Sequence, residues 1–170
     1  SWAVREQLIT ENPAKPVSPP RAAPPSEEWL QPAEVRKLLD TSRRFGEEQG
    51  DIWRTRHVAI ALGVFVGLRL GEIYGLRWRD VDFKTGRITV ARSYGALPKS
   101  GRSRHLKMPA ELRTILAAWQ PECPSTAEGV VVPVCKYNHW RMSNWKAAHR
   151  GLHTLFKEAG LKPFKRPWHA

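Results

Sequence analysis

Cysteine is nearly absent from this chain: Cys123 and Cys135 are the only two in 170 residues. That is too few for a disulfide framework and suits a reducing interior. Long apolar runs are missing as well. None approaches the ~20 residues that a membrane span requires, which excludes an integral helical membrane protein. The N-terminus lacks a basic segment followed by an apolar one, so no signal peptide is expected. The sequence holds no glycine-rich phosphate loop and no cluster of carboxylates, and its only tyrosines are Tyr74, Tyr94 and Tyr137. With 41% hydrophobic and 26% charged residues it can still bury an ordinary core.

Acidic residues thin out after residue 83. The chain carries 28 Lys and Arg against 16 Asp and Glu, a formal net charge of +12. Residues 1–50 carry a net −1 and residues 51–83 a net +1, whereas residues 84–113 carry +7 and residues 114–170 carry +5. A merely solubilising surface would intersperse both signs. An excess confined to one part of the chain points to a polyanionic partner, namely nucleic acid.

Seven of the 14 prolines fall between Pro13 and Pro32. Such a segment cannot form a packed helix or a central strand, and it reads as an extended, semi-rigid linker. Residues 1–12 look like the tail of a helix, and a further domain is expected upstream of them.

Beyond the linker, Pro32 suits the first position of a helix. Val35, Leu38 and Leu39 follow at helical spacing to about Phe45, and Gly46 and Gly50 bracket a loop. Residues 51–66 (DIWRTRHVAIALGVFV) form the expected most buried helix. Asp51 is its cap, Val58, Ala61, Leu62, Phe65 and Val66 lie near one face, and Gly67 breaks it. A third helix within GLRLGEIYGLRW buries Ile73 and Leu76. The period then changes to two: VDFKTGRITVARSY predicts two short strands joined at residues 84–86. A second hairpin through LPKSGRSRHLKM places Arg104, Leu106 and Met108 on one face of its outgoing strand. Pro109 opens a helix carrying Leu112, Ile115 and Leu116. Residues 121–137 are loop-like around a short apolar run at 130–132. Ser143 caps a last helix, NWKAAHRGLHTLFKEAG, which Gly160 ends.

Two pairs, Cys135 with His139 and His149 with His153, could be assembled as metal ligands. Their spacing matches no compact zinc pattern and Cys135 has no C-x2-C partner, so they read as loop and surface residues and no metal is expected. The eight tryptophans fall mostly at apolar or element-end positions and read as core. Trp140 and Trp145 lie near basic residues, where DNA contact is the alternative.

The sharpest string surrounds Arg69. An arginine wedged between apolar residues at a helix start is unusual, because guanidinium is costly to bury unpaired. Glu72, one turn on, lies on the same face and can hold it. Arginine offers a planar fork of donors matched to two phosphate oxygens. A structural Arg–Glu pair at a helix end is the alternative.

GLRLGEIYGLRWRDVDF closely resembles the first signature of the tyrosine recombinases, the phage integrase family. There Gly-Leu-Arg-x-Gly-Glu is followed by Leu-x-Trp-x-Asp-Ile/Val-Asp. Arg69 falls on the family's first catalytic arginine and Glu72 on its supporting acid. LPKSGRSRHLKMP is similar to the family's hairpin whose turn carries a catalytic lysine, here Lys99. The residues Pro167-Trp168-His169-Ala170 resemble the first half of a His-x-Leu-Arg-His box, with His169 as its histidine, and ENPAKPV resembles the end of the core-binding domain and its linker.

The resemblance implies an α+β fold, mostly helical with a small three-stranded antiparallel sheet, and three segments. Residues 1–12 would end a core-binding helical domain, residues 13–31 would be the linker, and residues 32–170 would be the N-terminal part of a catalytic domain. It implies site-specific DNA recombination or integration by transesterification through a 3′-phosphotyrosine, with no cofactor. The implied partners are double-stranded DNA and other recombinase protomers in a tetrameric synapse, with no membrane, and the implied location is cytoplasmic and nucleoid-associated for a protein of bacterial or phage origin. In this chemistry Arg69 would neutralise charge on the scissile phosphate, Lys99 would protonate the leaving oxygen, and His169 would assist. Arg102, Arg104 and Lys107, in the basic stretch, are the expected DNA contacts. The departure is equally specific: the second arginine and the nucleophilic tyrosine have no match, since Tyr74, Tyr94 and Tyr137 occupy other positions. The chain is therefore expected to be a truncated, inactive catalytic domain that binds DNA. A non-catalytic DNA-binding module is the alternative.

Overall fold

The structure is a computed structural model that describes residues 2–18, 29–94, 102–126, 129–133, 135–136, 139–140 and 145–162. A single exposed turn, α1 (Trp2–Arg5), stands at the N-terminus. The body begins at α2 (Pro32–Gln49), where Pro32 occupies the first turn and the Glu34 carboxylate accepts the Gln31 N–H at 2.8 Å. This helix runs one turn beyond the expected stop near Phe45. Gly46 lies inside it and marks a close contact, because a Cβ there would come within 3.2 Å of the Arg54 backbone on the next helix. Arg54 fixes that crossing: its Nε donates to the Gly46 carbonyl at 3.2 Å and its Nη1 meets Glu122 at 2.9 Å.

Gly50 alone joins α2 to α3 (Asp51–Val66), which ends where Gly67 takes the left-handed φ of 63°. In α3 the five consecutive residues from Val58 to Leu62 are all buried, so this helix is the central wall of the fold. One side carries the main core, with Val58, Leu62, Ile73, Ile88, Leu112, Leu116 and Val131. On the other side Ile60 meets Leu38 and Phe45 of α2. That second core is closed by Leu152, Leu155 and Phe156 of a C-terminal helix. A further polar contact crosses the α2–α3 seam: Ser42 donates to the Leu39 carbonyl at 2.9 Å and lies 2.8 Å from His57 Nδ1. With the serine proton on that carbonyl, the network puts the imidazole proton on Nδ1. Burial, reinforced by Arg43, lowers the His57 pKa to about 4.

After α3 come α4 (Leu70–Gly75), a 3-10 turn at Trp78–Asp80, and a three-stranded antiparallel sheet in the order β1-β2-β3. Its strands are β1 (Val81–Asp82), β2 (Arg87–Val90) and β3 (Arg104–Lys107), with Val81 opposite Ile88 and Ile88 opposite Leu106. The β1–β2 turn is tied by the Asp82 carboxylate, which accepts both backbone N–H groups and the hydroxyl of the Lys84–Thr85 corner. Helix α5 (Ala110–Trp119) follows and buries Leu112, Leu116 and Trp119. The apolar run at 130–132 is more ordered than a loop. Val130 bridges Arg77, and the Val131 N–H donates to the Leu76 carbonyl at 3.0 Å. Two-residue strands β4 (Cys135–Lys136) and β5 (His139–Trp140), not foreseen from the sequence, pair antiparallel. Helix α6 (Trp145–Glu158) buries Ala148, Leu152, Leu155 and Phe156 at helical spacing, and Gly160 turns left-handed just past its end. Among the described residues no helix is long and apolar enough to cross a membrane.

Candidate active site

Arg69 owes its position to a glycine and a carboxylate. Gly67 reverses the chain at the end of α3, Leu68 drops into the core, and Arg69 follows with extended backbone as the N-cap of α4. Its N–H donates to Glu72 Oε2 at 2.9 Å, and its carbonyl accepts the N–H groups of Glu72 and Ile73 at 2.8 and 2.9 Å. The backbone is thus held on both sides while the side chain is 65% exposed.

Glu72 is the only buried charged residue among those described, at 2% exposure. Its principal partner is not the neighbouring arginine that local spacing suggests. Arg104, 32 residues on, grips it fork to fork, Nη1 to Oε1 and Nη2 to Oε2, both at 2.7 Å. The Arg69 guanidinium makes one longer contact with Oε1, at 3.6 Å. Arg104's hydrogen bonds outweigh the effect of burial and, with the Arg69 N–H, hold the Glu72 carboxyl below the usual carboxylate range. The same pair raises the Arg104 guanidinium above its ordinary value. One buried carboxylate therefore organises two arginines, from α4 and β3.

A second contact docks the end of β2 onto α4. Gly71 and Gly75, one turn apart on the same face, leave room for residues 92–94. The Tyr94 N–H donates to the Gly71 carbonyl at 2.6 Å. A Cβ at Gly75 would lie 2.9 Å from both the N and the O of Tyr94. The Tyr94 ring stacks on Tyr74 with centroids 6.2 Å apart and planes 7° from parallel. Arg92 pairs with Asp80, whose carboxylate also accepts the Arg77 N–H at 3.2 Å. These ties fix the base of the β2–β3 connection. Lys99, in that connection, and His169 lie outside the described residues.

The remaining basic candidates divide between faces. Arg104 turns inward with Leu106, whereas Lys107 is exposed on the opposite face of β3 and Arg102 is exposed just before the strand. Lys107 stands directly opposite Arg87, which is exposed too. Arg87 faces Asp82 on its other side, so a carboxylate of the chain already offsets part of this charge; as an exposed cation next to Lys107 it joins the basic set, although no motif marked it. Among the described residues no three His, Cys, Asp or Glu side chains converge as metal ligands would.

Comparison with known proteins agrees with this architecture. Residues 28–169 match the model of the phage integrase family. Tyrosine recombinase XerC of Xanthomonas campestris is 26% identical over 133 residues, covering 78% of this chain and 38% of XerC. The chain thus spans about two-fifths of the length of the XerC proteins it matches. Among solved structures, the Tn1549 transposon integrase in complex with a circular intermediate DNA superposes with a TM-score of 0.67 at 19% identity, covering 99% of this chain and 58% of that one. A lambda integrase dimer bound to a COC′ core site gives 0.65 at 17% identity, covering 99% and 57%. XerA recombinase gives 0.61 at 18% identity, covering 86% and 47%. With its Arg69–Glu72 box, its three-stranded sheet and a family match over most of its length, the chain belongs to the phage integrase family of tyrosine recombinases.

Proposed function

We propose that these residues supply the arginine and lysine side of a phosphoryl-transfer site for site-specific DNA recombination. The observation that supports this most is Arg69: a fully positioned backbone carrying an exposed guanidinium, beside a buried acid that another residue neutralises. In the reaction a tyrosine oxygen forms a bond to the scissile phosphorus and the bond from phosphorus to the 5′-oxygen breaks. Arg69 offsets the charge growing on the non-bridging oxygens, Lys99 delivers a proton to the leaving 5′-oxygen, and His169 assists proton movement. The 3′-phosphotyrosine retains the energy of the broken bond for religation. The nucleophile comes from outside these residues. Partner protomers on duplex DNA complete the assembly, and the work is done on nucleoid or mobile-element DNA in the cytoplasm.

Taken alone, the chain acts as a DNA-binding unit without strand cleavage. Tyr74 favours this reading, since it is buried and stacked on Tyr94. A nicked suicide duplex incubated with the chain yields no covalent adduct, whereas a longer protein carrying the tyrosine forms one that Arg69→Ala abolishes. An adduct with this chain alone, or full activity of the Arg69→Ala enzyme, contradicts the proposal.

A further inference from the structure

Two arginines compete for one carboxylate at the start of α4. Arg104 takes both Glu72 oxygens at 2.7 Å, and the Arg69 N–H takes a further position on Oε2 at 2.9 Å. The Arg69 guanidinium is left with one lateral contact at 3.6 Å, although it sits a single turn away and is equally able to form a fork. The three side chains together keep one net positive charge, and the more exposed of the two guanidiniums, at 65% against 38%, is that of Arg69.

We infer that Arg104 is a positioning residue that keeps Arg69 available: by saturating Glu72 it stops the buried carboxylate from drawing in the Arg69 guanidinium. Arg104 then acts on phosphate through Glu72 and Arg69 rather than by touching DNA. The inference rests on the reading of Arg69 as a phosphate ligand.

The test is a mutant cycle on the chain, read as affinity for a fluorescent duplex of about 20 base pairs across a salt series. With Arg104→Ala, Glu72 captures Arg69. Affinity then falls about three- to tenfold and the salt slope falls by about 0.9, matching Arg69→Ala. The Arg69→Ala/Arg104→Ala double variant is no weaker than either single one. Adding Glu72→Gln to Arg104→Ala keeps an acceptor for the Arg69 N–H, removes the competing charge and restores both affinity and slope. Losses that multiply in the double variant mark Arg104 as a contact in its own right and overturn the inference, as does failure of Glu72→Gln to rescue. If Arg104→Ala does not fold, as judged by far-UV circular dichroism, Glu72→Gln alone decides. Affinity at or above that of the unmodified chain supports the inference, and a fall means that Glu72 holds Arg69 in place and overturns it. An unchanged affinity in Arg69→Ala removes the phosphate reading itself, a result distinct from all of these.

Discussion

Glu72 and Arg104 meet fork to fork between α4 and β3, with both contacts at 2.7 Å and the carboxylate 2% exposed. Removing one partner of a fully buried pair costs about 3–5 kcal/mol, but Arg104 is 38% exposed and Arg69 stands ready to take its place at Glu72. Arg104→Ala is therefore expected to lose stability in urea denaturation by less than that. Glu72→Gln/Arg104→Ala loses less, because no buried charge remains. A larger loss in the double variant would contradict the assignment.

The α2–α3 seam predicts a pH dependence. Burial lowers His57 from 6.5 to about 4, so the folded state takes up its proton later than the unfolded chain does. The stability it contributes is fully present above pH 6.5 and is lost as pH falls toward 4, up to about 3 kcal/mol. Glu72, held below the usual carboxylate range by Arg104, adds a further loss as pH falls below about 4.3. Urea midpoints measured from pH 7.5 to 4 should fall for the unmodified chain and fall less for His57→Gln. Parallel curves would rule out His57 as the cause.

Gly71 and Gly75 should differ in tolerance. A Cβ at Gly75 meets backbone N and O of Tyr94 at 2.9 Å, whereas at Gly71 its nearest neighbour is the rotatable Ser93 hydroxyl. Gly75→Ala is expected to cost about 1–3 kcal/mol, and Gly71→Ala less. Thermal denaturation ranks the two, and the reverse order would contradict the docking described.

Lys107 is the outer cation of a cross-strand row in which Arg87 already faces Asp82. Replacing exposed Lys107 with Ala is expected to change stability by no more than about 0.5 kcal/mol while duplex affinity falls. Lower stability with unchanged affinity would mean that the pair is structural.

Much of this was legible in the sequence. The long apolar stretch of α3 and the glycine after it locate Arg69, and the period-two stretches give the sheet with Arg104 on the face of Leu106 and Met108. In the sequence Arg104 reads as a DNA contact, and its acid partner is seen only in the fold. The i,i+3 spacing, visible in a linear string, pairs Glu72 with Arg69. A partner 32 residues away becomes visible only once β3 is folded against α4. Gly46 reads as a helix breaker for a related reason, because a glycine that breaks a helix and one that admits a neighbouring backbone look alike in sequence. The run at 130–132 showed its apolar character but not its partners, Arg77 and Leu76, which no local signal names.

The central claim is that Arg69 offers its guanidinium to a DNA phosphate. Duplex affinity of the chain and of Arg69→Ala, each measured from about 50 to 200 mM salt, tests it most directly. The prediction is weaker binding for the variant and a slope of log affinity against log salt shallower by about 0.9. Superimposable salt curves for the two proteins would contradict it.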